Sequence, residues 1–128
     1  VPVWTWLGLA VALVGVGGET LADAQLRTFK ASGTPGGICR DGLWAWSRHP
    51  NYFFEWLTWM GFALAAQGRP AALAAWLAPA LIYFLLTRIT GIPPTEAQSL
   101  RNRGEAYRDY QAAVPAFFPR PPSRKVRP

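Results

Sequence analysis

Charged residues are scarce in this sequence, and two long stretches have none. Of the 128 residues, 16% are charged and 51% are hydrophobic. No charge occurs from Val1 to Gly18 or from Ala71 to Thr87. A helix that crosses a bilayer needs about 20 mostly apolar residues, whereas a helix of a soluble bundle needs a polar face. The two stretches therefore predict membrane spans and argue against a soluble helical bundle.

Cysteine and histidine occur once each, as Cys39 and His49. A lone cysteine can form neither an internal disulfide nor a metal site by itself, so we predict no metal. The net charge is +6, yet the sequence has no stripe of alternating bases and aromatics. That pattern is typical of nucleic-acid interfaces, and we therefore predict no nucleic-acid partner.

A third apolar stretch, Tyr52 to Gln67, is interrupted only by Glu55. We predict an all-α fold, a polytopic membrane domain with about three transmembrane helices and a C-terminal interfacial amphipathic helix. The predicted segments of this single domain, 1–128, are a span with a cytoplasmic extension at 1–30, a Gly/Pro loop at 31–49, spans at 50–67 and 71–90, an interfacial helix at 94–112 and a basic tail at 113–128.

Basic residues predict the orientation of these spans. Arg27, Lys30, Arg40 and Arg48 lie between the first and second spans, and a further set follows the third. The positive-inside rule then places the first connection and the C-terminus in the cytoplasm, with the basic tail against membrane lipids. Because the chain begins without Met, and its first stretch lacks the basic start of a signal peptide, we expect a fragment that begins with a membrane helix.

The motif SRHPNY, residues 47–52, lies between two apolar segments. Pro50 suits the first turn of a helix, which places Asn51 and Glu55 on one helix face. A glutamate within a span predicts a functional site, and Arg48 and His49 precede the helix where they can meet an anionic group. The alternative is an interfacial anchor made by Arg48 and nearby tryptophans.

The end of the first helix carries a second polar face. Glu19, Asp23 and Lys30 fall within a narrow arc at about 100° per residue, with Arg27 on its flank. Two acids and two bases at a membrane exit can hold a polar ligand. The alternative is a salt-bridged helix end, in which Asp23 pairs with Arg27.

Three motifs carry a resemblance to a known family. The central one is G-L-W-x-x-S-R-H-P-N-Y-x-x-E-x-x-x-W-x-G. It is preceded by E-x-x-x-D-x-Q-x-x-x-F-K. It is followed by G-I-P-P-x-E and then by R-x-x-x-Y-R-x-Y-x-x-x-V-P-A-F-F-P. Together they resemble bacterial membrane proteins of the steroid 5α-reductase superfamily. The resemblance implies a bacterial inner-membrane enzyme that uses NADPH to reduce an activated C=C bond in a lipid or steroid-like substrate.

The resemblance also implies roles for single residues. Asp23 and Lys30 match positions near the adenosine and phosphate of NADPH, whereas Asn51 and Glu55 match positions near the nicotinamide and are the predicted catalytic residues. Glu19 and Lys30 differ from the mammalian members, which carry asparagine and arginine there. The complete predicted cofactor set is Asp23, Arg27, Lys30, Arg48, His49, Asn51, Tyr52, Glu55 and Glu96.

Family members are about twice as long as this chain, which resembles their C-terminal half. The acid and tyrosine that engage a substrate ketone belong to the N-terminal half of the mammalian enzymes. We therefore expect the missing half of the same protein to be a partner, and this chain alone to lack full activity.

Two other classes of protein remain open. Isoprenylcysteine carboxyl methyltransferases, which use S-adenosylmethionine, share R-H-P-x-Y and a later pattern that this chain matches at Glu96, Leu100, Tyr107, Tyr110, Val114 and Pro115. The face with Asp23 and Lys30, and Asn51 after His-Pro, favour the reductases. The third class is a non-enzymatic membrane subunit, which would bind no nucleotide.

Overall fold

Helices make up all the regular secondary structure of residues 1–33 and 36–122, the part of the chain that this computed structural model describes. The prediction of an all-α fold is confirmed for these residues, and the end of the predicted basic tail, 123–128, lies outside them. The helices are α1 (Val3–Ser32), α2 (Pro50–Ala65), α3 (Ala72–Ala75), α4 (Leu77–Arg88), α5 (Ile92–Arg103) and α6 (Glu105–Ala113), with a 3₁₀ turn at Gly42–Ala45.

Two helical segments of the described chain are long and apolar enough to cross a membrane, rather than the three that the sequence predicts. They are Val3–Ser32 and the segment Ala72–Arg103, which comprises α3, α4 and α5, with mean hydropathies of 1.4 and 1.7. The apolar part of the second segment ends at α4, because α5 is polar. Helix α2 has 16 residues, which is short for a span of about 20 residues.

Helices α1 and α2 pack closely because small residues face each other at their crossing. A Cβ atom added at Gly8 would meet the backbone of Gly61 and Ala65, and one added at Gly61 would meet that of Gly8 and Ala12. Small residues let helix backbones approach one another, as is typical of helix pairs in membranes. This contact therefore fixes α2 against α1.

The structure divides the predicted interfacial helix, 94–112, between α5 and α6. The division occurs at Gly104, whose φ of 52° lies in the region that favours glycine. Pro93 and Pro94 lie in the first turn of α5, where a missing backbone N–H costs no helical hydrogen bond. The break at Gly104 turns α6 back toward the start of α2.

The segment after α6 closes the fold onto the residues that precede α2. The Arg48 N–H donates to the Pro115 carbonyl at 2.8 Å, and the Arg120 N–H donates to the Trp46 carbonyl at 3.0 Å. The buried Ser47 hydroxyl donates to the Phe117 carbonyl at 2.9 Å. These long-range bonds hold the residues just before α2, including Ser47 and Arg48, against the segment that follows α6.

We predict that Gly8→Ala destabilises the protein by about 1–3 kcal/mol, because the added methyl group overpacks the α1–α2 crossing. Gly17→Ala is the matched control in the same helix, since a Cβ there meets nothing within 4 Å. Alanine is the better helix former, so the control should be neutral or more stable by up to about 1 kcal/mol. Thermal unfolding in detergent measures both variants, and equal stabilities would contradict the close crossing.

Candidate functional site

A cavity of about 400 Å³ lies where the end of α1, the loop before the 3₁₀ turn, the start of α2 and the α5–α6 pair meet. Its size falls within the range of small-molecule and cofactor sites. It is lined by five of the predicted cofactor residues, namely Lys30, Arg48, His49, Asn51 and Tyr52. The cavity thus brings together most of the SRHPNY motif and the end of the first helix.

The charged residues that line this cavity are all basic. They are Lys30, Arg48 and Arg103, and no aspartate or glutamate occurs among the lining residues of the described chain. Like charges that share a concave, partly apolar surface raise the local concentration of counter-ions. The cavity is therefore suited to an anionic ligand.

Asn51 lines the cavity and carries an unsatisfied hydrogen-bond acceptor. Its Oδ1 atom is buried and has no hydrogen-bond partner among the described residues. A buried polar atom without a partner costs about 1–3 kcal/mol, so such groups are typical of functional sites. Because Oδ1 has almost no accessible surface, the Asn51 side chain would have to turn toward the cavity before the N–H or O–H of a ligand could satisfy it.

His49 is held at the cavity wall by two contacts. Its Nε2 atom lies 2.8 Å from Oε2 of Glu96, and its ring stacks on that of Tyr52 with centroids 5.3 Å apart. An ionised carboxylate only accepts hydrogen bonds, so Nε2 carries the proton and its N–H donates a hydrogen bond to Glu96. The Nδ1 atom of His49 then has no hydrogen-bond partner among the described residues.

Glu96, on α5, lies behind the cavity and accepts hydrogen bonds from two other parts of the chain, the start of α2 and α6. Arg48 binds it in bidentate fashion, from Nε to Oε2 at 2.6 Å and from Nη2 to Oε1 at 3.0 Å. The Tyr107 hydroxyl donates at 3.0 Å and Gln111 Nε2 donates at 3.1 Å. Bidentate arginine–carboxylate pairs are among the strong hydrogen bonds of proteins, so Glu96 ties α5 to α6 and to the start of α2.

These contacts shift the acid–base properties of the cluster. Burial alone would raise the pKa of Glu96, but the hydrogen bonds and charges of His49 and Arg48 outweigh it and lower the pKa to about 2. Burial and then the negative charge of Glu96 raise the pKa of the Tyr107 hydroxyl. At neutral pH, Glu96 is therefore an anion and Tyr107 a neutral donor.

Arg48 uses its remaining donors on the backbone. Its Nη1 atom donates to the carbonyls of Gln111 and Val114 at 2.9 and 2.8 Å. With the two bonds to Glu96, four of its five N–H groups have protein acceptors. Arg48 therefore lines the cavity as a fixed, charge-compensated wall.

Four predicted residues do not line the cavity: Asp23, Arg27, Glu55 and Glu96. Arg27 is exposed and Asp23 is half-buried, both on α1. Glu55 is half-buried one turn after Asn51, on α2, and its carboxylate interacts electrostatically with that of Glu19 on α1. The structure thus groups Glu55 with the acidic face of α1, apart from the cavity.

Helix α5 supplies a wall that the sequence analysis missed. The lining residues from this helix are Thr95, Gln98, Ser99, Asn102 and Arg103. Their spacing of three or four residues places them on one helix face, and that regular spacing is the signal that could have identified them. The Thr95 hydroxyl lies 3.1 Å from that of Tyr52, which joins this wall to the start of α2.

Comparison with known proteins places the chain in a family. Residues 1–114 match the family described as "Protein of unknown function (DUF1295)". The chain belongs to this family. It is 36% identical over 89 residues to an uncharacterized protein of Schizosaccharomyces pombe, an alignment that covers 66% of this chain and 24% of the relative. The DUF1295 chain thus spans about a quarter of the length of that relative, and no solved structure matches it.

We predict that Glu96 makes the stability of the protein dependent on pH in the acidic range. Its pKa is lowered from 4.5 to about 2, so its contribution is present above pH 4.5 and is lost as the pH falls toward 2. This lowering of the pKa corresponds to about 3 kcal/mol in the free energy of unfolding at neutral pH. In Glu96→Gln this part of the pH dependence should be missing.

Unfolding of both proteins between pH 7 and pH 2.5 provides the measurement. Other acidic groups titrate in both proteins, so the informative quantity is the difference between the two curves. The wild type should be more stable at neutral pH, and the curves should converge as the pH falls below 4.5. Parallel curves would contradict an ionised, hydrogen-bonded Glu96.

Proposed function

We propose that this chain forms the cofactor-binding part of a membrane-bound, NADPH-dependent reductase of the steroid 5α-reductase type. The substrate would be a lipid or steroid-like molecule with an activated C=C bond. The observation that carries the proposal is the acid-free, basic cavity with the unsatisfied Oδ1 of Asn51 in its wall. The three motifs that resemble this superfamily support the same conclusion.

The donors and acceptors of the cavity suit a dinucleotide. Its basic residues can meet phosphate groups, for which charge-assisted hydrogen bonds are strong. Once its side chain turns toward the cavity, Asn51 Oδ1 would accept an N–H of the nicotinamide carboxamide. The aromatic side chains of Phe29, Trp44 and Tyr110 also line the cavity and offer apolar surface to flat rings.

In this proposal, the cofactor supplies the hydride when it is bound, and the protein binds and orients it. Asn51 would fix the rotation of the carboxamide and thereby the face of the ring that meets the substrate. Glu55, which the resemblance places near the nicotinamide, lies one turn further along α2 and outside the cavity wall, so the reacting end of the cofactor would extend from Asn51 toward it. The stacked side chains of His49 and Tyr52 would limit the movement of the nicotinamide ring.

The proposal includes a membrane arrangement. Helix α2 would be a third span beside α1, with the cavity on the cytoplasmic side of a bacterial inner membrane. Helix α6 packs Tyr107, Tyr110 and Ala113 into the protein core and exposes Arg108 and Asp109, so at the membrane surface it would present its polar face rather than the apolar face that the sequence predicts. A lipid substrate could then enter from the bilayer, and further segments of the whole protein would supply the groups that engage it.

One observation favours a second candidate function. Three residues that match the pattern of isoprenylcysteine carboxyl methyltransferases lie at the cavity. Tyr107 and Tyr110 line it, and Glu96 lies directly behind its wall. A methyltransferase would bind S-adenosylmethionine at this place. That cofactor has fewer negative charges than NADPH, so the excess of basic residues favours the dinucleotide.

We predict that the full-length protein in detergent binds NADPH at least tenfold more tightly than NADH, because the extra phosphate adds charge-assisted contacts. Fluorescence titration with NADPH, NADH and S-adenosylmethionine measures this. Tight binding of S-adenosylmethionine without any NADPH signal would support the methyltransferase and refute the reductase. Binding of none of the three would support a non-enzymatic subunit.

We also predict that Asn51→Ala and Glu55→Gln each lower turnover tenfold or more, as expected for loss of an oriented hydrogen bond worth about 1.5–3 kcal/mol. Because Asn51 Oδ1 is buried without a partner in the described structure, and such an atom lowers stability, Asn51→Ala should not lower the melting temperature of the cofactor-free protein. Glu105→Gln is the matched control for Glu55, since Glu105 is 86% exposed. Wild-type turnover in both variants would leave these side chains without a catalytic role.

A further inference from the structure

We infer that Arg103, together with Lys30, is the phosphate-binding pair of the cavity, and that Arg48 holds the cavity in shape. This inference rests on the proposed function for the identity of the ligand as a phosphorylated nucleotide. It assigns a role to Arg103, which begins the C-terminal R-x-x-x-Y-R-x-Y motif but does not belong to the predicted cofactor set. It also separates two kinds of cation that line the same cavity.

Arg48 is a poor candidate for a phosphate ligand because the protein already occupies it. Its charge is compensated by Glu96, and four of its N–H groups bond to Glu96 and to two carbonyls. Its side chain is 11% exposed. Binding a phosphate would require breaking a buried ion pair, which is strongly unfavourable when one partner is left uncompensated.

Arg103 is the arginine of the cavity that has donors to spare. It is the last residue of α5, and its Nε donates to the carbonyls of Gly36 and Gly37 at 3.1 and 3.2 Å. These bonds fix the position of the guanidinium group. Its Nη1 and Nη2 atoms have no acceptor within the described ranges, and no carboxylate lies within 4 Å of it there. The planar fork that suits a phosphate is therefore available.

Lys30 completes the pair from another helix. It lies in the last turn of α1, is exposed and lines the same cavity as Arg103. No carboxylate of the described residues pairs with it. A basic residue in the last turn also stabilises the end of its helix, and this applies to Lys30 on α1 and to Arg103 on α5. Helix stabilisation alone does not explain why both residues line the same acid-free cavity.

The neighbouring side chains of α5 suit the sugar beside such a phosphate. Gln98, Ser99 and Asn102 line the cavity next to Arg103. All three are neutral and can both donate and accept hydrogen bonds, as ribose hydroxyls require. The α5 face would therefore read the phosphorylated ribose, while Asn51 at the start of α2 meets the other end of the ligand.

The test compares Arg103→Ala with Arg101→Ala in the full-length protein. Arg101 is exposed, lies on the same helix and does not line the cavity, so its replacement makes the same change of net charge. We expect Arg103→Ala to weaken NADPH binding at least tenfold and NADH binding by less. The affinity should also depend less steeply on salt concentration. Arg101→Ala should bind both nucleotides as the wild type does.

Thermal shifts with inorganic pyrophosphate separate this inference from the proposed function. If the wild type binds no NADPH, the reductase proposal fails, yet pyrophosphate should still stabilise the wild type and not Arg103→Ala. Equal stabilisation of wild type and Arg103→Ala by pyrophosphate, or equal NADPH affinity, would overturn the inference. A third result would also overturn it: Arg103→Ala lowers the melting temperature and weakens NADPH and NADH binding by the same factor. That result is expected if Arg103 only holds the loop at Gly36 and Gly37 in place.

Arg48→Ala supplies the opposite control. Because it leaves Glu96 buried without its main partner, it should lower the melting temperature of the cofactor-free protein, whereas Arg103→Ala should change it little. If Arg48→Ala weakened NADPH binding more than Arg103→Ala while it kept the wild-type melting temperature, Arg48 would be the phosphate ligand and the inference would be wrong.

Discussion

The buried carboxylate of Glu96 is the constraint on which the cavity depends. A buried charge is tolerated only when it is paired and its lone pairs are satisfied. Glu96 meets this requirement with Arg48, His49, Tyr107 and Gln111. These partners come from the start of α2 and from α6, so satisfying one carboxylate fixes the relative positions of three helices and of the cavity between them.

The same carboxylate decides which charges remain in the cavity. Because Glu96 compensates Arg48 from behind the wall, that arginine is a rigid part of the structure, as a buried bidentate pair requires. Glu96 also orients His49 by accepting a hydrogen bond from its Nε2–H group. Lys30 and Arg103 have no such partner among the described residues, and this difference in pairing underlies the separate roles inferred for the basic residues of this DUF1295 protein.

The helices outside the cavity obey a different constraint, that of close backbone contact. Gly8, Ala12 and Gly61 let α1 and α2 cross with their backbones in contact. Much of the remaining apolar surface of α1 is exposed, including Leu13 at 73%. Apolar side chains that face outward suit a lipid environment or further helices. The second of these is consistent with the comparison, because the chain spans about a quarter of the length of its Schizosaccharomyces pombe relative.

The sequence by itself determined the local features of this protein. Charge-free stretches predicted the apolar helices, and Pro50 predicted the start of α2, because hydropathy and backbone sterics act over a few residues. Most of the SRHPNY motif does line the cavity. Only the tertiary structure paired Arg48 with Glu96 across 48 positions, moved Glu55 away from the cavity and turned α6 back at Gly104. Such pairings depend on how helices pack, and no local pattern records which distant side chain will satisfy a buried charge.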